Sequence, residues 1–390
     1  MISQSAINID ELIRETPDQF RVRGRVYTDP DIFDLEMENI FYRAWVYLGH
    51  ASEIPDGGDY KTTFIGQQPV IMSRNADDGQ VYVFYNRCRH RGATVCQQEY
   101  GSGNFFRCAY HGWVYNNRGE LVGVPTPEYY GAGFRKEEMG LDPVPRVDNY
   151  RGFIFASLAP QGESLLEHLG NARGYIDRFI DQWPEGEMQL SGVQKYGYNG
   201  NWKLQLENTV DNYHFPFVHA SMLEIAKRQA ASYISSARGD LSDRQCWDLG
   251  NGHAAFDAGL GDVHFAVFPN LALLGYQVRV IRPIAVDRTD VLLHATTLKG
   301  APAEVNERRL RTHVEGFGPA GFIGPDDQEI AMTRVPQGLR ASKATDWVLM
   351  ERGLELETFH EDGRRSNPMG CEVTHRSIYR RWRQLMAAGS

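Results

Sequence analysis

The sequence predicts an α+β fold of two domains behind a short N-terminal lead. Three observations carry this. Residues 1–40 read as polar and helical; from Trp45 the pattern changes to short strands; after Pro160 helical patterns return among further strands. A chain of 390 residues has room for more than one core.

In order along the chain, residues 31–40 place Ile32, Phe33, Leu35, Met37 and Ile40 on one helix face. Strands are expected at 45–50, 70–72 and 81–86, with Asp56-Gly57-Gly58-Asp59 as punctuation, and a last one at 152–156. Residues 165–183 read as one amphipathic helix. Residues 278–281 and 291–295 flank the turn Asp287-Arg288-Thr289-Asp290, which makes them an antiparallel pair. A helix over 303–315 leads into Gly316-Phe317-Gly318-Pro319. Residues 371–386 form a closing helix with Ile378, Tyr379, Trp382 and Leu385 on one side, and its arginines read as a solvated face. The polar stretch 227–240 reads as mobile. Domain boundaries follow at 1–41, 42–158 and 159–390.

Net charge is −9, so no basic excess exists to neutralise nucleic-acid phosphates. The first ten residues have neither a basic nor an apolar export region, and no apolar run approaches the ~20 residues of a membrane helix. A cytoplasmic protein is expected. Five cysteines occur. Cys96, Cys246 and Cys371 read as free thiols, with Cys96 a buried structural one, because Ala109 stands where a bridging partner beside Cys108 would be.

The densest chemistry lies in Cys88-Arg89-His90 and, seventeen residues on, Cys108-Ala109-Tyr110-His111. Two such pairs can hold a [2Fe–2S] cluster with two thiolates on one iron and two imidazoles on the other, the Rieske arrangement. Imidazole is neutral where thiolate is anionic, so the cluster's potential rises and single-electron transfer is the expected task. The rival is a structural zinc site, but zinc patterns commonly group Cys with Cys and His with His. Gly92 and Gly112 follow the histidines closely, as two tight loops around a cluster require.

The second dense stretch is 201–219. Asn201 is a good N-cap. Glu207, Asp211 and His214 recur at four and three residues, which puts them on one helix face. Pro216 should break or kink that helix and bring His219 beside His214. Two histidines and a carboxylate fit the facial triad of a non-haem Fe(II) site with open positions for O₂.

These residues resemble the Rieske non-haem iron oxygenases, specifically the large (α) subunits of aromatic ring-hydroxylating dioxygenases. The carriers are Cys88-Arg89-His90-Arg91-Gly92, Cys108 to Trp113, Glu207-Asn208 through His219, and Phe317-Gly318-Pro319-Ala320-Gly321. The resemblance implies a β-rich Rieske domain and a catalytic domain with an antiparallel sheet covered by helices, of helix-grip type, on which the N-terminal lead packs. It implies Asp327, the second of Asp326-Asp327, as third iron ligand. It implies a trimer of α subunits, often α3β3 with small β subunits and otherwise α3, fed by a reductase and a ferredoxin from NAD(P)H. In that assembly Asp211 bridges His214 to His111 of a neighbouring chain. The pocket would be lined by Asn208, Asn212, Phe215, His264, Phe317, Phe322 and Ile323. The Asn208–Asp211 spacing is nearer the salicylate and terephthalate type, which hints at a single-ring aromatic acid. The expected product is a cis-dihydrodiol, or a phenol after monohydroxylation. An α-only monooxygenase or demethylase is the first alternative and a Rieske electron carrier the remote one.

Overall fold

The computed structural model describes residues 7–184, 186–229, 244–259, 262–343 and 345–388. Residues 230–240 of the stretch expected to be mobile lie outside the described residues. The chain divides into two compact units, Phe41–Leu165 and Met1–Ile40 with Leu166–Ser390.

The smaller unit is built of three antiparallel sheets. Val81–Tyr85, Gln68–Arg74, Asp59–Ile65 and Tyr100–Ser102 form one. Arg146–Tyr150, Phe153–Ser157 and Val46–His50 form another. The third, Leu121–Gly123, Val114–Asn116 and Phe105–Arg107, joins the core of Ile71, Phe84, Cys88, Cys108, Trp113 and Tyr115. Arg146 donates to Ala159 O (2.8 Å) and Glu163 O (2.7 Å), and Trp45 Nε1 donates to Glu163 O (2.9 Å). These bonds tie residues 159–163 to this unit, so it runs to Leu165 rather than ending at 158.

The larger unit carries a nine-stranded antiparallel sheet. Its spatial order is Met188–Tyr198, Arg288–Leu298, Gln277–Ala285, Leu271–Leu274, Asp262–Val267, His253–Gly259, Gln245–Gly250, Arg365–Pro368 and Thr358–Phe359. Helices Ala172–Ile180, Lys203–Val210, Ala303–Phe317 and Val373–Ala387 pack on it. The fold class is the α+β arrangement the sequence suggests.

Several local expectations fail for identifiable reasons. The lead is not all helix: Ile13–Thr16 and Gln19–Arg23 pair as a hairpin, with Trp347–Leu349 as third strand. Its period-two signal was present, since Phe20 and Val22 alternate with polar residues and are fully buried. The expected 165–183 helix breaks into Leu165–Leu169 and Ala172–Ile180 at Gly170, whose φ of +45° suits glycine. The closing helix does not expose its arginines. Arg376 is fully buried, with Nε 2.5 Å from Glu357 and Nη2 2.8 Å from Asn367; Arg380 binds Glu15 and Glu357. Carboxylates from distant segments, invisible to local pattern, make that face an interior one.

Among these buried charges Glu36 holds the unit together. It lies at the end of helix Pro30–Glu36 with no solvent exposure. Its carboxylate accepts from Trp202 Nε1 (2.8 Å), Lys203 Nζ (2.5 Å) and Trp382 Nε1 (2.6 Å). The lead, the helix Lys203–Val210 and the closing helix thus meet at one anion. Burial depresses the Lys203 ammonium, and Glu36 offsets that cost. Glu36→Gln should therefore lower stability by about 3–5 kcal/mol, because it strands a buried cation. The double variant Glu36→Gln/Lys203→Met should recover part of the loss, as read from chemical-denaturation midpoints.

Candidate metal centres

The two Cys–His loops have the same local build. Gly92 N bonds Cys88 O and Cys88 N bonds Ala93 O; Gly112 N bonds Cys108 O and Cys108 N bonds Trp113 O. Gly92 and Gly112 sit at φ +76° and +71°, which lets each loop turn tightly. Cys88 and Cys108 are buried. The His90 and His111 rings lie 4.5 Å apart, and His90 stacks on Trp113. His90 Nδ1 is buried without a hydrogen-bond partner, a costly state for a nitrogen that binds nothing. Tyr115 OH lies 3.2 Å from Cys88 Sγ and accepts from Arg89 N.

The second site begins where helix Lys203–Val210 stops. The sequence-level picture of Glu207, Asp211 and His214 on one helix face is wrong. The helix ends at Val210, Glu207 turns inward to Tyr27 OH (2.9 Å) and Tyr379 OH (2.5 Å), and Asp211 is extended. Asn201 does cap the start, through Oδ1 to Lys203 N. Pro216 kinks nothing; it occupies the first turn of the short helix Phe215–Val218, where its missing N–H costs nothing. That short helix sets His214 and His219 at its two ends, with ring centroids 5.4 Å apart.

Asp327 Oδ1 lies 3.5 Å from His214 Nε2 and 3.1 Å from His219 Nε2. All three offer ligand atoms within 4.8 Å of one another, a set that could hold a metal ion. Each imidazole turns its other nitrogen to a carboxylate: His214 Nδ1 to Asp211 at 3.1 Å, His219 Nδ1 to Asp326 at 3.6 Å. Asn208 Nδ2 donates to Asp327 Oδ1 at 3.1 Å. Burial alone would raise the Asp211 carboxyl. The His214 hydrogen bond and the charges of His375 and His214 instead hold it near 2, so it is ionised at neutral pH.

This triad opens on a cavity of about 470 Å³. Asn208, Asn212, Phe215, His264, Phe317 and Ile323 line it as expected. Phe322 does not. The turn closed by Gly321 N to Gly318 O carries it to the surface, 44% exposed, while Ile323 points inward. Sequence reasoning missed Arg244, Gln277, His313, Met222 and Leu223 in the wall. His313 was findable, four residues before Phe317 on one helix face. Gln277 was hinted at by polar Gln277 and Arg279 alternating with Val278 and Val280.

Comparison with known proteins agrees with this geometry. The Rieske [2Fe–2S] domain model matches residues 44–141, and the model of the ring-hydroxylating alpha subunit (catalytic domain) matches 186–369. Toluate 1,2-dioxygenase subunit alpha of Pseudomonas putida is 34% identical over 82% of this chain and 80% of its own length. This chain belongs to the Rieske ring-hydroxylating oxygenase alpha subunits. The anthranilate 1,2-dioxygenase large subunit of Acinetobacter baylyi is 31% identical over 95% of this chain and 90% of its own. The solved structure of naphthalene 1,2-dioxygenase with indole bound in the active site aligns at a TM-score of 0.87 and 27% identity, covering 98% and 95% of the two chains. Alpha subunits of this family carry a Rieske cluster and a mononuclear iron. The orphaned His90 Nδ1 and the His₂–carboxylate set fit those two groups. No helix among the described residues is long and apolar enough to cross a membrane.

Two cavity histidines are held neutral. Burial, then the Arg279 charge, pushes His313 down to about 4 and His264 to about 3. The unfolded chain takes up these protons near pH 6.5 and the fold refuses them. Their contribution is therefore complete above pH 6.5 and shrinks as pH falls towards 4. His313→Gln should flatten the wild-type loss of stability between pH 6.5 and 4, measured by denaturation at stepped pH.

Proposed function

We propose that this alpha subunit hydroxylates a single-ring aromatic acid, with O₂ and externally supplied electrons, to a cis-dihydrodiol. The observation that carries the reading is the His214/His219/Asp327 set at the edge of a cavity that is mostly apolar yet has cations about it. Phe215, Met222, Leu223, Phe256, Phe317 and Ile323 supply the apolar wall, suited to an aromatic ring. Arg244 stands in the wall and the Arg279 guanidinium lies 4.7 Å from the Phe317 ring, giving a positive potential for an anion. The relatives named for toluate and anthranilate support the same substrate class.

In this reading Cys88, His90, Cys108 and His111 hold the cluster, and His214, His219 and Asp327 hold the iron. When bound, the cluster supplies electrons and the iron activates O₂. The chain's own work is orientation and exclusion. Asp211 accepts the Nδ1 proton of His214, fixing the tautomer whose Nε2 faces Asp327; Asp326 lies near His219 Nδ1 at 3.6 Å, beyond hydrogen-bond distance. Asn208 holds Asp327 from the other side. The apolar wall keeps water from the reacting ring. We further assign Asp211 a link to the cluster ligand His111 of a neighbouring subunit in an α3β3 or α3 assembly served by a reductase and ferredoxin in the cytoplasm.

The test is O₂ uptake with product analysis on benzoate and its ring-substituted analogues, in the presence of a reductase and ferredoxin. Substrate-dependent uptake with diol formation is expected; uptake with neutral arenes alone would overturn the aromatic-acid reading. Asp211→Asn should keep both metals and lose most turnover, roughly 10–100-fold or more. Full activity with both metals present would remove Asp211 from the relay.

A further inference from the structure

One rung of the sheet forms the polar floor of the cavity. Phe256, His264, Leu274 and Gln277 are successive cross-strand partners on four neighbouring strands, so their side chains share a face, and all four line the cavity. Two residues on, Arg279 lies on the same face of its strand, opposite Ala272 in the next rung. The small alanine leaves room for a guanidinium.

Gln277 and Arg279 are each 3% exposed. Arg279 Nε donates to Gln277 Oε1 at 2.9 Å. A guanidinium has donors only, so it fixes which end of the Gln277 amide it faces. The carbonyl oxygen is taken by Arg279, and the Nε2 amino group is left for the cavity. Nε2 has no hydrogen-bond partner among the described residues. His313 Nδ1, in the same wall, is also buried and without a partner. His264 makes no side-chain hydrogen bond among the described residues and packs on Phe256. Arg279 itself has no carboxylate within ion-pair distance among the described residues; its guanidinium lies over the Phe317 ring, and its charge also helps hold the Asp327 carboxyl below its ordinary pKa. A buried cation with one neutral hydrogen bond, behind unfilled donors that face a cavity, is a site built for an anion.

We propose that Gln277, oriented by Arg279 and flanked by His264 and His313, anchors the carboxylate of the aromatic substrate. This rests on the aromatic-acid reading above and names the residues that would enforce it. The Gln277 amide donates one hydrogen bond to a carboxylate oxygen. Arg279 supplies the compensating charge from behind, and the two neutral imidazoles supply further donors. The ring then lies against Phe317 and Ile323 on the side of the metal ligands. A neutral arene leaves these donors unsatisfied, so the floor selects against it as well as for the acid.

The test is equilibrium binding of benzoate and of toluene to the anaerobic holoenzyme by calorimetry, on wild type, Gln277→Leu and Gln277→Glu. Wild type is expected to prefer benzoate. Gln277→Leu should weaken benzoate roughly tenfold or more and leave toluene unchanged or bound more tightly, because the amide that toluene cannot satisfy is gone. Gln277→Glu keeps the bond to Arg279, so folding is protected, but it presents an anion to an anion and should weaken benzoate at least as much. Unchanged benzoate binding in both variants would overturn the subsite while the aromatic-acid reading stands. Wild-type binding of toluene without benzoate would overturn both.

Discussion

The catalytic unit depends on how one helix ends. Lys203–Val210 stops at Asp211, and that stop sends two carboxylates of nearly the same helical phase in different directions. Glu207 remains inside, bonded to two tyrosines from the lead and the closing helix, and burial raises its pKa despite them. Asp211, outside the helix, is free to reach His214. Had the helix continued, Asp211 would have lost the extended conformation that turns its carboxylate to the imidazole, and the short helix that spaces His214 and His219 could not follow. Glu36 fixes the other end, clamping Trp202 and Lys203 against Trp382. The metal ligands are thus held by a segment whose start and stop are both pinned by buried polar groups.

Charge is arranged in the same economical way. The chain carries a net −9, yet the cavity has Arg244 in its wall, Arg279 behind Phe317, and two histidines kept uncharged by burial. Asp211 and Asp327 also line the cavity, each with its carboxylate against an imidazole. Arg244 and Arg279 oppose the negative field of these carboxylates on the cavity side.

How legible this was in the sequence follows from how local each feature is. Cys88, His90, Cys108 and His111 lie on two short loops whose glycines and spacing are self-contained, so both pairs were readable. His214 and His219 were readable too, though the kink invoked to join them was wrong: Pro216 starts a helix there instead of breaking one. Asp327 arrives from a far segment and could be chosen over Asp326 only by resemblance. The arginines of the closing helix were misread because their partners, Glu15 and Glu357, are remote in sequence. The cavity floor was unreadable for a different reason. Phe256, His264, Leu274 and Gln277 meet through strand register across four strands, and a one-residue slip in any of them would put other side chains there.

One chain carries the ligand sets of both an electron-transfer cluster and a mononuclear iron. The most direct measurement is iron and acid-labile sulfide content of the purified protein, with EPR after anaerobic reduction. About three irons and two sulfides per chain are expected, with the signal of a histidine-ligated [2Fe–2S] cluster. Two irons and two sulfides that persist after reconstitution with Fe(II) would contradict this, leaving the His214/His219/Asp327 set without the metal its geometry fits.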